Sequence, residues 1–368
     1  MAAPKPVKLG PSQGHPTLAQ LVREAYDQDH SDVHVGVGRS PRYRSQGAMA
    51  KTQYPPTDEN TFESWLAEIL TEPEIARFKE TLDYDGAAQY DFIRVRVNIF
   101  MSIKGPSMVL RLIPLQPPIL QNLGFPPVFH DICYLSQGLV LITGPTGSGK
   151  STTLAAMVNE INTNMTKHVV TIEDPIEFVH QQDLKSVVSQ REVGIHTHEF
   201  DRALKAALRE DPDVILIGEM RDRETLSTAM KAAQTGHLVF GTLHTNSAVK
   251  TLERILDLFE PDERDSVRKQ IAETLGAIVA QALLPTTDGK RCVISEVMIN
   301  TDTIRDFIAR DQSDEIEAQI KDGAFYGMSN RNQSIFKLFE EGRITEEAAL
   351  EASLNKSEMA IMLRGGIV

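Results

Sequence analysis

The stretch Leu139-Val-Leu-Ile-Thr-Gly144-Pro145-Thr146-Gly147-Ser148-Gly149-Lys150-Ser151-Thr152 constrains this chain more than any other. It matches G-x-x-x-x-G-K-[ST] at every fixed position, follows an apolar run and precedes a helical pattern over Thr152–Asn162. The glycines let the backbone curl so that its N–H groups point inward, and the helix start adds the positive end of its dipole. Residues 144–152 are therefore the candidate cradle for a nucleoside triphosphate. Lys150 is placed to reach the β- and γ-phosphates, and Ser151 to ligate Mg²⁺.

A strand–loop–helix of this kind belongs in an α/β fold, and the surrounding sequence agrees. Leu139–Thr143, Val169–Ile172, Val214–Ile217 and Leu238–Thr242 are apolar runs separated by helical stretches. Strands apolar on both faces imply a mostly parallel sheet covered by helices. The pattern is different before residue 114. Leu18–Asp27 has helical spacing, Asp32-Val-His-Val-Gly-Val alternates, Phe62–Leu70 and Glu74–Thr81 read as short helices, and Tyr90–Phe100 and Met108–Ile113 alternate again. Residues 17–113 thus read as a small α+β domain, 1–16 as a frayed arm, 114–127, with five prolines, as a linker, and 128–368 as the nucleotide domain with a mostly helical end.

The chain has 368 residues, with 38 basic and 51 acidic side chains, so its net charge is −13. That balance argues against nucleic acid or an anionic bilayer as partner, since both reward positive fields. No run approaches the ~20 apolar residues of a membrane span, and no apolar signal segment opens the chain, so direct membrane insertion is not expected. The two cysteines, Cys133 and Cys292, exclude a disulfide scaffold and a four-cysteine zinc module, and fit a reducing cytoplasm.

Hydrolysis needs a group to polarise water, an acidic group near the metal and positive charge for the transition state. Val170-Thr-Ile-Glu173-Asp174-Pro175-Ile-Glu177 follows a strand and supplies three carboxylates, with Glu173 and Glu177 as general-base candidates. Asp213-Val-Ile-Leu-Ile-Gly218-Glu219 is an apolar strand ending in a carboxylate that would act on Mg²⁺ through water. Gly236-His237-Leu-Val-Phe-Gly-Thr-Leu-His244 carries a histidine at each end of a strand. A straight strand of that length spans ~23 Å, so both reach one phosphate only if the chain turns after Thr242. Arg94, Arg96 and Arg111 read from their residues alone as ion-pairing surface arginines.

Together these segments resemble one family. TIEDPIEFVH, QREVGIHTHEF, ALREDPDVILIGEMRD and TGHLVFGTLHTNSA resemble the Asp box, connecting loop, acidic strand and His box of secretion-superfamily ATPases. The likeness is greatest to the type IV pilus retraction ATPases, the PilT group. SDVHVGVGRSPRYRSQG (31–47), RVRVNIF and VLRLIP resemble that group's N-terminal segments. The resemblance implies a RecA-like core behind a PAS-like N-terminal domain. It implies ATP and Mg²⁺ as ligands, with Glu177 as base and Glu219 as the acidic-strand residue. His237 and His244 would report on or contact the γ-phosphate, and Arg96 and Arg111 would reach a nucleotide across a domain or subunit interface. It further implies a homo-hexamer at the cytoplasmic face of the inner membrane, working on a pilus platform protein and, in some cases, beside a paralogous retraction ATPase. The family's C-terminal helix signature is only partly matched by Thr303-Ile-Arg305-Asp-Phe-Ile-Ala-Arg310, which keeps an accessory, PilU-like paralogue or a nucleotide-binding modulator as alternatives. The assembly branch usually has a longer N-terminal region and a four-cysteine module, neither of which this sequence has.

Overall fold

A computed structural model describes residues 10–45, 48–182 and 184–365. The chain divides into two compact units between Leu115 and Gln116.

The first unit comprises α1 (Leu18–Asp27), β1 (Asp32–Gly36), β2 (Arg39–Ser45), β3 (Ala48–Lys51), α2 (Glu59–Ile69), α3 (Glu72–Thr81), β4 (Asp83–Gln89), β5 (Arg94–Ser102) and β6 (Gly105–Ile113). Its six strands form one sheet in the order β3-β2-β1-β6-β5-β4, with every pair antiparallel. Period-two alternation sends Val33, Val35, Val95, Val97, Ile99, Met108 and Leu110 to one face, where they pack on Leu18, Leu21, Phe62, Trp65 and Phe78. The other face carries Asp32, His34, Arg96 and Arg111. Thr17 and Gln20 form a capping box at the start of α1.

Residues 10–16 correct the expectation of a frayed arm. The buried Trp65 indole donates to Pro16 O at 2.9 Å, the Ser12 N–H donates to Thr61 Oγ1 at 3.0 Å, and Asn60 Nδ2 reaches the Ser12 hydroxyl at 3.2 Å. A buried indole needs an acceptor, and this segment supplies it. Residues 1–9 of that arm lie outside the described residues, as do 46–47.

The second unit comprises α4 (Val128–Cys133), β7 (Gly138–Thr143), α5 (Lys150–Asn164), β8 (His168–Glu173), β9 (Val187–Glu192), α6 (Phe200–Ala207), β10 (Val214–Ile217), α7 (Arg223–Gln234), β11 (Leu238–Leu243), α8 (Ala248–Leu256), α9 (Arg264–Thr274), β12 (Leu275–Pro285), β13 (Arg291–Ile299) and five further helices. These are α10 (Asp302–Ala309), α11 (Ser313–Asp322), α12 (Arg331–Glu340), α13 (Glu346–Ala352) and α14 (Lys356–Leu363). Its seven-stranded sheet has the order β13-β12-β7-β11-β10-β8-β9, parallel throughout except for the β12–β13 hairpin. Every residue of β7, β10 and β11 is buried, because helices cover both faces. The sequence reading missed β9, β12 and β13. Edge strand β9 (VVSQRE) is too polar to stand out. The apolar run of β12 continues directly from α9, where periodicity does not separate strand from helix.

The expected linker also needs correction. From Gln116 onward it belongs to the second unit. Leu120 is buried against α4 and α5 residues, Phe125 stacks on Phe129, and Gln121 Nε2 donates to Glu160 of α5 at 2.9 Å. Its prolines turn the chain, while the apolar residues between them dock it.

Candidate nucleotide site

β7, β8, β10 and β11 all end at the same edge of the sheet, so the segments that follow them converge. This carboxyl edge of a parallel sheet is where α/β proteins gather their sites. Crossing bonds lock it: Gly218 N–H to Ile172 O at 2.7 Å, Gly144 N–H to Leu243 O at 3.3 Å and Met220 N–H to Thr242 O at 3.1 Å.

The loop 144–149 leaves β7 and ends in α5, whose N-cap Gly149 has φ +88° and supplies no side-chain cap. The first N–H groups of α5 therefore have no side-chain oxygen capping them, as an anion site requires. Gly144 is fixed by sterics as well as by its φ of +145°. A Cβ there would lie 2.3 Å from Gln281 O and 2.6 Å from Ser148 Oγ. The hydroxyls of Thr143 and Ser148 are buried without a hydrogen-bond partner among the described residues, which fits a loop shaped around a polyanion. Lys150 Nζ donates to Gly144 O at 2.8 Å and Pro145 O at 3.2 Å. Burial lowers its pKa, and the negative charges of Glu219 and Glu177 oppose that shift. Among the described residues no three His, Cys, Asp or Glu side chains cluster to hold a metal. Ser151, on the first turn of α5, suits a Mg²⁺ that keeps most of its waters and its phosphate oxygens.

Glu219 sits just beyond β10. Its carboxylate accepts from Arg221 Nη2 at 2.6 Å and pairs with His244 Nε2 at 3.1 Å. Arg221 is the main cause of its lowered pKa, so Glu219 stays ionised. At Gly218 a Cβ would press on Glu173 Cα and Ile172 O, each at 3.2 Å, so a side chain does not fit without displacing the end of β8. β11 stops at Leu243, and the chain turn brings His244 to Glu219.

His237 does not join them. It precedes Leu238, which pairs with Gly138 at the entry to β7, and its carbonyl accepts from the Gly138 N–H at 3.0 Å. Its Nδ1 lies 2.9 Å from Ala232 O. The six residues of β7 span ~20 Å, so His237 lies at the opposite edge from the phosphate loop of its own chain. This corrects the expectation that both histidines serve one phosphate.

The two candidate bases also separate. The Glu173 carboxylate accepts from Thr171 Oγ1 at 2.6 Å and Gln190 Nε2 at 3.1 Å, and burial raises its pKa to about 6. It is committed inward. Glu177 lies four residues on, in the loop after β8, and is half-buried near Lys150.

In the first unit Arg96 and Arg111 are cross-strand partners on β5 and β6. Arg96 makes a two-pronged contact with Asp85, at 2.8 and 3.3 Å, and Arg111 Nε donates to the buried Asp32 at 3.0 Å. Arg94 lies on the same strand, two residues before Arg96.

The sequence reading missed Gln281. It is fully buried on β12, donates to Ser148 O at 2.8 Å and accepts from Thr153 Oγ1 at 3.0 Å, tying the end of the phosphate loop to the start of α5. A lone amide inside LGAIVAQALLP was its only signal. Arg221 lies within the acidic-strand segment, where residue type alone assigns it no role.

Residues 12–319 match the family described as "Type II/IV secretion system protein". The chain is 40% identical over 335 residues to the "Type IV pilus retractation ATPase PilT" of Pseudomonas aeruginosa, covering 91% of this chain and 97% of that one. It is 42% identical over 323 residues to a "Twitching motility protein" of Neisseria gonorrhoeae, covering 87% and 86%. The crystal structure of "the Pilus Retraction Motor PilT and Bound ADP" superposes with a TM-score of 0.87 at 38% identity, covering 94% of this chain and 99% of that one. The α/β unit with its carboxyl-edge phosphate loop is thus a RecA-like ATPase core, and the chain belongs to the type II/IV secretion ATPase family, in its PilT branch of pilus retraction ATPases.

Proposed function

We propose that this chain is a motor subunit that hydrolyses ATP to drive type IV pilus retraction. Residues 144–152 cradle the β- and γ-phosphates, with Lys150 leaving its loop carbonyls to meet them. Ser151 directly, and Glu219 through water, would hold a Mg²⁺ ion that would supply positive charge against the phosphate oxygens. Glu177 orients and deprotonates the attacking water, and His244, held by Glu219, donates toward the γ-phosphate. Arg96 and Arg111 leave Asp85 and Asp32 for the nucleotide of an adjacent module, so that phosphate charge is coupled to domain position. That coupling needs a ring, and a homo-hexamer fits the family reading. No described helix is long and apolar enough to cross a membrane. By the family reading, the ring works against a platform protein from the cytoplasmic side.

The observation that carries this reading is the convergence of Lys150, Glu177 and the Glu219–His244 pair beyond one sheet edge. Lys150→Ala or Glu219→Ala is expected to abolish steady-state ATP hydrolysis. Normal turnover by Lys150→Ala would overturn the site. Direction is tested in cells: deletion with surplus surface pili supports retraction, bald cells indicate extension, and unchanged piliation with altered force indicates an accessory paralogue.

A further inference from the structure

Glu177 lies in the irregular stretch 174–180, between the end of β8 and the approach to β9. A base on such a stretch is only as well placed as its anchors. Those anchors are side chains of edge strand β9. Glu192, 3% exposed, accepts the Ile176 N–H at 3.1 Å. Gln190 makes three bonds from one amide. Its Oε1 accepts the His180 N–H at 2.8 Å, and its Nε2 donates to Phe178 O at 2.8 Å and to Glu173 Oε1 at 3.1 Å. Gln190 thus pairs with residues 178 and 180 as a neighbouring strand's backbone would. The stretch gains a ladder contact although, among the described residues, no backbone–backbone bond joins it to β9. The same amide ties that ladder to the Glu173 carboxylate, so both ends of the segment carrying Glu177 are held by one group.

We infer that Gln190 is a positioning residue for Glu177, clasping the acidic loop so that its carboxylate stays over the phosphate loop, with Glu192 holding the Ile176 end. This rests on the reading of Glu177 as the base. The amide pattern makes the residue type specific. Two acceptors, Phe178 O and Glu173, must face an NH₂, and one donor, the His180 N–H, must face an oxygen. Gln190→Glu keeps the size but sets a carboxylate against a carbonyl and another carboxylate. Gln190→Leu removes all three bonds.

The test compares Gln190→Leu, Gln190→Glu and Glu177→Gln in the full-length chain, measuring kcat, ATP affinity by calorimetry, and thermal unfolding. Misplacing a reacting group by ~1 Å costs on the order of 100-fold. Both Gln190 variants are therefore expected to lose roughly 10- to 100-fold in kcat while ATP affinity stays within about 3-fold, because no phosphate-loop contact is touched. Adding Gln190→Leu to Glu177→Gln should cost nothing further, since both act through one group. Full turnover in the Gln190 variants beside a crippled Glu177→Gln overturns the clasp and leaves the base in place. Full turnover in Glu177→Gln overturns the base itself. If Gln190→Leu does not fold, Gln190→Glu decides. Loss of ATP binding together with kcat in Gln190→Glu overturns the inference in favour of a general structural role.

Discussion

The phosphate loop and the acidic loop lie beyond the same sheet edge and are built in opposite ways. The phosphate loop takes its shape from its own glycines and its own helix, contiguous in sequence. From a distance Gln281 braces its helix end, through Ser148 O and Thr153 Oγ1, and Leu243 O holds the Gly144 N–H at its start. The acidic loop 174–180 has little internal order and borrows it from Gln190 and Glu192, ten and sixteen residues from the groups they hold. One loop is preorganised locally, and the other is positioned by a partner strand. The first suits a binding surface that is always ready. The second suits a base whose placement depends on a neighbouring element.

This contrast can be broken by substitution. The largest effect belongs to the phosphate loop. Lys150→Ala removes the one cation inside the cradle and should lower ATP turnover at least ~10³-fold, measured by phosphate release, since losing a preorganised charge-stabilising donor costs that order. Next comes the acidic loop's buried histidine. His180 is 4% exposed, and burial lowers its pKa from 6.5 to about 4. The unfolded chain takes this proton below pH 6.5 and the folded chain only near pH 4. Stability from this group is therefore complete above pH 6.5 and falls as pH drops, by about 3 kcal/mol in all. His180→Leu should shrink the stability difference between pH 7 and pH 4 by that amount in denaturant unfolding. Gln281→Leu leaves Ser148 O without the amide that binds it, while Thr153 Oγ1 keeps Gly149 O, and should cost about 2 kcal/mol at any pH, with weaker ATP binding in calorimetry. The smallest effect is at Glu173, whose pKa is raised from 4.5 to about 6 by burial. Here the sign reverses: the unfolded chain ionises first, so stability is lost as pH rises through that window. Solvent contact limits the loss to about 1 kcal/mol. Glu173→Gln should flatten that part of the pH profile and leave the His180 part untouched.

The same contrast explains what the sequence made legible. β7, β8, β10 and β11 were readable because strands buried on both faces are apolar throughout, and Lys150 because its motif is contiguous. Glu177, Glu219 and His244 were readable because each closely follows such a strand. His237 was misplaced because a strand has two ends, and residue type does not say which one faces the phosphates. The N-terminal alternation was plain, yet the docking of Gly10–Pro16 depended on the Trp65 indole finding an acceptor 49 residues away. Gln190 and Gln281 were invisible for a similar reason. A glutamine announces neither burial nor partner until the fold sets a carbonyl and an N–H on either side of it.

The most direct measurement is a pair of titrations on Glu177→Gln: Mg-ATP uptake by calorimetry and phosphate release at saturation. The expected result is ATP binding close to that of the parent protein, with release slowed on the order of 10²- to 10⁴-fold, because the cradle is intact and the base is gone. Absent uptake by well-folded protein, or release at the parental rate, would contradict the central claim that the two loops divide binding and catalysis between them.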